Sequence, residues 1–114
     1  GICLGMQLMG LFAGGMIEQH LEGEIGDTHS SGSHSIDGIF GSGTVHTHHH
    51  QAIIDPGSLD IVAVAADGTI EAIADTSKAW YIGVQWHPEK THDDNLGHFL
   101  FTDFIKAANV AISR

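Results

Sequence analysis

Basic residues are scarce in this chain, with four Lys+Arg against fourteen Asp+Glu and a formal charge of −10. A surface of that sign repels phosphate backbones and anionic headgroups, which argues against nucleic acid or membrane as partners. Nor does it draw in an acidic substrate through its overall field, so recognition of any glutamate-like group must be local. A single cysteine excludes an internal disulfide and fits a reducing, cytoplasmic compartment. No apolar stretch approaches the length of a membrane helix, and the start has no charged leader region. Repeats and inter-domain linkers are missing too. At 114 residues one domain is the ceiling, and 42% hydrophobic residues suffice for its core.

What the chain does hold is a thiol in a glycine frame, Gly1-Ile2-Cys3-Leu4-Gly5. A nucleophile elbow lifts its reactive residue out of the fold on a strained strand-to-helix turn, and glycines two residues before and after relieve the crowding. The helix that follows aims free N–H groups and its positive dipole end at the sulfur. The backbone N–H of Leu4 is placed to donate to a developing oxyanion. A lone cysteine is more often a small buried hydrophobe. Fifteen glycines also weaken the frame as a signal on its own. The second half of the pattern is His87-Pro88-Glu89, which ends the aromatic, β-branched stretch Tyr81–Trp86. Pro88 biases His87 towards extended angles, which would put residues 87 and 89 on one side. Glu89 could then hold one imidazole nitrogen while the other takes the proton of Cys3. Together the two blocks favour a Cys3–His87–Glu89 triad over a polar turn at a strand end.

Elsewhere the pattern predicts a helix over Gly5–Ala13 stopped by Gly14-Gly15, and a loop over 22–44 with at most a short strand at Ser35–Phe40. Ile61–Ala65 and Thr69–Ala74 read as strands joined through Asp67-Gly68, a strong hairpin signal. Asp93-Asp94-Asn95 offers caps for a helical stripe from Leu96 to about Ile112. Trp80, Trp86 and the Phe cluster read as core. Ten histidines invite a metal reading, and His46, His48 and His50 would share one face of an extended segment. Without a Cys pair, a His-Glu-x-x-His motif or a helical i, i+4 histidine pair, the expectation is no functional metal site and no cofactor. His92 and His98 read as solvated or capping residues.

The blocks Gly1-Ile2-Cys3-Leu4-Gly5-Met6-Gln7-Leu8-Met9 and Gly83-Val84-Gln85-Trp86-His87-Pro88-Glu89 resemble the two signature blocks of class I glutamine amidotransferase-like domains. Within that superfamily the chain is most similar to γ-glutamyl-γ-aminobutyrate hydrolases, through Trp86, Val45-His46-Thr47-His48-His49-His50-Gln51-Ala52 and Asp67-Gly68-Thr69-Ile70-Glu71-Ala72. The resemblance implies an α/β fold, the C-terminal half of a flavodoxin-like three-layer domain with the elbow at its start. It implies that Cys3 attacks a γ-glutamyl amide to give a thioester, that His87 shuttles the proton and that Glu89 orients it. It further implies that Gln7, His49, His50 and Gln51 contact the glutamyl part of a small substrate, although His46 and Thr47 replace the usual Asn and Ser. The strands and oxyanion loop that precede the elbow in the family have no counterpart here. The expectation is therefore a partial domain, 1–114, that is inactive in isolation and self-associating through exposed apolar surface. Two alternatives stay open: a glutaminase domain that passes ammonia to a synthase, and an inactive or His-rich metal-binding remnant.

Overall fold

The computed structural model describes residues 1–112. Its elements are α1 (Leu4–Phe12), β1 (Met16–Glu18), α2 (Gly23–Ser30), β2 (Gly32–Gly38), β3 (Gly41–Thr47), β4 (Ala52–Asp55), β5 (Asp60–Ala65), β6 (Ile70–Ala74), β7 (Ile82–Val84), a 3-10 turn at Pro88–Lys90 and α3 (His98–Ile112). Five strands form one antiparallel sheet in the order β3-β2-β5-β6-β7, and β1 pairs with β4 in a separate ribbon. Beside β7 the chain start adds a short parallel contact. Ile2 bridges Val84, the Cys3 N–H donates to the Val84 carbonyl at 2.8 Å, and the Val84 N–H donates to the Gly1 carbonyl at 2.9 Å.

Two apolar cores lie on the two faces of this sheet. One gathers Ile36, Val45, Ala72, Val84, Trp86, Leu96 and Leu100, and so seats α3. Trp86 is fully buried, and its indole N–H donates to the Leu96 carbonyl at 2.8 Å, so its one polar atom is satisfied inside the core. The other gathers Met6, Ile53, Leu59, Ile70 and Ile73, and seats α1. Gly10 lets α1 approach closely, because a Cβ there would stand 2.6 Å from Ile53 Cδ1. Gly14, at φ 88°, ends α1, and the Gly15 N–H reaches back to the Gly10 carbonyl at 2.8 Å. Flanked by β5 and β7, β6 is buried at all five positions.

α1, α3 and the β5–β6 hairpin fall where the pattern puts them, with Gly68 at φ 87° in the turn. The stretch 22–44 does not. It forms α2 and most of a β2–β3 hairpin, in register from Gly32↔Thr47 to Gly38↔Gly41. Its Gly, Ser and His residues have weak intrinsic preference for strands, and pairing of β2 along β5 supplies what they lack. The aromatic expectation also needs correction. Only Trp86 is deeply buried; Trp80 is half-buried, while Phe99, Phe104 and Phe12 are exposed, the last at 91%. The apolar stripe of α3 is wider than the sheet face that covers it, so Phe104, Ile105 and Val110 stay in contact with solvent. Among the described residues no helix is long and apolar enough to cross a membrane.

Candidate active site

Cys3 stands at the N-cap of α1 with φ 52° and ψ −106°, the only described non-glycine residue at positive φ. Such a backbone is strained for a side chain and persists only where its surroundings hold it. Here the Cys3 N–H is tied to Val84 and the Gly5 N–H to the Ile2 carbonyl at 2.9 Å. The two framing glycines are not equivalent. A Cβ on Gly1 would lie 2.6 Å from the Gly5 carbonyl carbon, whereas one on Gly5 would meet nothing within 4 Å.

The half-buried sulfur sits among donors. The Leu4 N–H and the Gln85 side-chain amide, with Nε2 at 3.5 Å, both donate to it, and its own S–H points to the His48 carbonyl at 3.9 Å. Burial pushes the thiol up, the two donors pull it back, and the Glu89 and Glu71 carboxylates add to the rise. Gln85 is itself fully buried and held from behind. Gln7 Nε2 donates to Gln85 Oε1 at 3.1 Å and to the Gln51 carbonyl at 3.3 Å. That carbonyl can only accept, which fixes the orientation of both amides. Sequence reasoning missed Gln85 as a neighbour of the thiol; its signal was a glutamine between Val84 and Trp86 in a strand otherwise read as core.

His87 lies at the same end of the sheet, three residues beyond Val84 in sequence. Its N–H donates to the His46 carbonyl at 3.0 Å, and the Thr91 hydroxyl donates to its carbonyl at 2.8 Å. The extended backbone stops at His87, and Pro88 opens a 3-10 turn that brings Glu89 back, with Oε1 2.6 Å from His87 Nδ1. A carboxylate at that nitrogen accepts its proton and leaves Nε2 free as a base. No hydrogen bond joins His87 to Cys3 among the described residues.

Residues 46–51 alternate. His48 and His50 are exposed and His46 half-buried, while Thr47 and His49 turn inward. Of the expected substrate contacts, His50 is on the surface and Gln51 half-buried, but Gln7 and His49 are buried and already spent. His49 Nδ1 donates to the Gln51 carbonyl at 2.6 Å, and its Nε2 faces His29 Nδ1 at 3.1 Å. His29 Nε2 in turn donates to Asp67 Oδ2 at 2.7 Å. His34 and Glu71 complete a group in which one ligand atom per residue lies within 4.8 Å of every other. Burial pushes the Glu71 carboxyl up to about 9, with Asp67 adding to the rise. Burial also lowers His34, and lowers His49 to about 4 against the Gln51 hydrogen bond. Sequence reasoning missed this cluster because its members come from four separate elements. The one readable signal was Glu71, a carboxylate inside a strand of otherwise apolar residues.

The family model "Glutamine amidotransferase class-I" matches residues 1–107. A protein of Mycobacterium tuberculosis described as a candidate glutamine amidotransferase is 36% identical over an alignment 113 positions long, and the match covers 82% of this chain and 36% of that protein. A glutamine-hydrolysing GMP synthase subunit of Halobacterium salinarum is 34% identical, over 92% of this chain and 59% of its own length. The chain thus spans between about a third and three fifths of these two relatives. A crystal structure of a glutamine amidotransferase from Thermotoga maritima superposes with a TM-score of 0.62 at 16% identity, over 99% of this chain and 47% of that one, a likeness of fold. With its elbow, its antiparallel extension and its seated helices, the chain belongs to the class I glutamine amidotransferase family.

Proposed function

We propose that Cys3 is the nucleophile of a γ-glutamyl amide hydrolase, with His87 as base and acid and Glu89 as its orienting carboxylate. The observation that carries this reading is the strained backbone of Cys3 at the start of α1, beside a strand whose continuation holds the 2.6 Å His87–Glu89 pair. In the reaction the sulfur attacks the γ-carbonyl carbon and the Cys3 proton passes to His87. The tetrahedral oxyanion draws on the Leu4 N–H. Collapse breaks the C–N bond, and the amine leaves with the proton from His87. Water, deprotonated by His87, then cleaves the thioester and releases glutamate. Exposed His50 and half-buried Gln51 are assigned the contacts to the glutamyl end, which the exposure of His50 and the Gln51 contact with Gln7 support. Gln7 acts through Gln85 as a positioning residue. A reducing cytoplasm keeps such a thiol active.

Two leaving groups fit. The segments Val45–Ala52 and Asp67–Ala72 favour a small γ-glutamyl amine of the γ-aminobutyrate kind. The similarity to glutamine-hydrolysing GMP synthase subunits favours glutamine itself, with ammonia passed to a synthase partner. Mass spectrometry after exposure to a glutamine-like diazo-ketone tests the shared chemistry. A single adduct on Cys3, slowed by glutamine or a γ-glutamyl amine, is expected; its absence removes the reading. Whichever of the two competitors protects better identifies the leaving group.

A further inference from the structure

The buried group of His29, His34, His49 and Glu71 makes no hydrogen bond to Cys3 among the described residues, and its own hydrogen bonding is incomplete. Each imidazole spends one nitrogen outward: His29 Nε2 on the Asp67 carboxylate at 2.7 Å, His49 Nδ1 on the Gln51 carbonyl at 2.6 Å, and His34 Nδ1 on the Ser35 carbonyl at 3.1 Å. Those three partners can only accept, so every outward nitrogen carries the proton of its neutral ring. The inward nitrogens therefore present lone pairs, both to one another and to the two oxygens of Glu71. His29 Nδ1 and His49 Nε2 face each other at 3.1 Å. Glu71 Oε2 lies 3.4 Å from the first and 3.8 Å from the second, and Glu71 Oε1 lies 3.7 Å from His34 Nε2. One extra proton between His29 and His49 would settle that pair alone. Both oxygens of fully buried Glu71, and His34 Nε2, have no hydrogen-bond partner among the described residues. Even with the proton that burial leaves on the Glu71 carboxyl, four chain segments converge here with one inward donor against four inward acceptor atoms, an arrangement that burial makes costly unless a cation joins it.

We propose that His29, His34, His49 and Glu71 bind one divalent transition-metal ion of the zinc type, as a structural centre. Donor atoms about 2.0–2.1 Å from a tetrahedral ion sit roughly 3.3–3.4 Å apart, against separations of up to 4.8 Å here, so an ion would draw the ligands inward by roughly 1.4 Å at most. Three imidazoles and one carboxylate suit zinc or its neighbours rather than magnesium or calcium, which take oxygen ligands. The outward hydrogen bonds already fix the tautomer and orientation of each ring, with Asp67–His29 as a carboxylate–histidine pair. His34, whose side chain is 6% exposed, marks the way in. Four ligands close the site to substrate, so the ion would clamp the end of α2, β2, the 48–51 segment and β6 together. The proposal stands independently of the reaction assigned to Cys3.

The test is a zinc titration of the untagged full chain after chelation, with elemental analysis and thermal denaturation. One zinc per chain is expected, with the melting temperature raised by about 10 °C at a hundredfold excess over Kd. Cobalt(II) in its place should give the strong visible bands of a four-coordinate site. Glu71→Gln or His34→Ala should each weaken binding at least about 100-fold, and Asp67→Asn, which only orients His29, about 10- to 100-fold. Should Glu71→Gln fail to fold, the His34→Ala and Asp67→Asn titrations decide. The double variant His48→Gln/His50→Gln should bind zinc unchanged. Zinc uptake lost in that double variant but kept in His34→Ala would mean adventitious capture by surface histidines and would overturn the proposal. No saturable binding with an unmoved melting temperature would overturn it as well.

Discussion

Two polar regions of this molecule share the segment His46–Gln51 and have opposite hydrogen-bonding character. Around Cys3 Sγ the side chains and backbone supply donors, the Leu4 N–H and the Gln85 amide. Around Glu71, which lies beside Gln85 in the sheet, they supply mainly acceptors, three ring nitrogens and the carboxyl oxygens. Donors without an anion and acceptors without a cation are each unfinished electrostatics. One corner turns N–H groups towards the sulfur, the other gathers lone pairs for a positive centre. The alternation of a single extended segment divides them: His48 shows its carbonyl to the thiol, and His49 turns its ring to the cluster.

The contrast between the two corners breaks most visibly at the nucleophile. Cys3→Ala should abolish the diazo-ketone adduct, read by mass spectrometry of the whole chain. Adduct yield above about a tenth of wild type would mean that the donor-rich corner is not the reacting one. His87→Gln should slow Cys3 labelling by about 10²- to 10⁴-fold, the range of a lost general base. A labelling rate equal to wild type would detach the His87–Glu89 pair from the thiol.

A smaller effect probes the donors themselves. Burial holds the Cys3 thiol above its ordinary range, so the folded protein favours the protonated form. Alkylation by iodoacetamide should therefore accelerate as pH rises through the alkaline range, since only the thiolate reacts. Gln85→Leu removes a donor that stabilises the thiolate. It should move that profile further upward and slow alkylation at neutral pH by about tenfold, the worth of one hydrogen bond to a charged group. An unmoved profile would show that Gln85 only fills space. The smallest effect separates the two glycines of the frame. Gly1→Ala should cost about 1–3 kcal/mol in urea denaturation through the clash with Gly5. Gly5→Ala, in open space on a helix, should gain up to about 1 kcal/mol. Equal costs would contradict the geometry of the turn.

Local signals carried the parts of this fold that local physics decides. The Asp67-Gly68 turn, the glycine stop after α1 and the amphipathic run of α3 were legible because each depends on neighbours in sequence. The same holds for His87 and Glu89, although a 3-10 turn rather than an extended chain joins them. The β2–β3 hairpin was not legible, because Gly, Ser and His form strands there only by virtue of β5. Gln7 shows the limit for sites. One helical turn beyond Cys3, it was expected to touch substrate, yet the packing of α1 against Ile53 and Ile73 turns it inward, where it is 4% exposed. His29, His34, His49 and Glu71 span more than forty residues of chain, and no spacing rule connects them.

The paired glutamines behind the thiol have one further consequence. A row of amides linked nitrogen to oxygen has a direction, and here a backbone carbonyl at Gln51 sets it. Neither Gln7 nor Gln85 can rotate by half a turn without two like atoms meeting. The sulfur therefore meets an N–H because of a peptide group 44 positions away from Gln7 in the chain. A displacement of that peptide group would take away the acceptor that sets the direction, so the dipole offered to the thiol depends on the 46–51 segment.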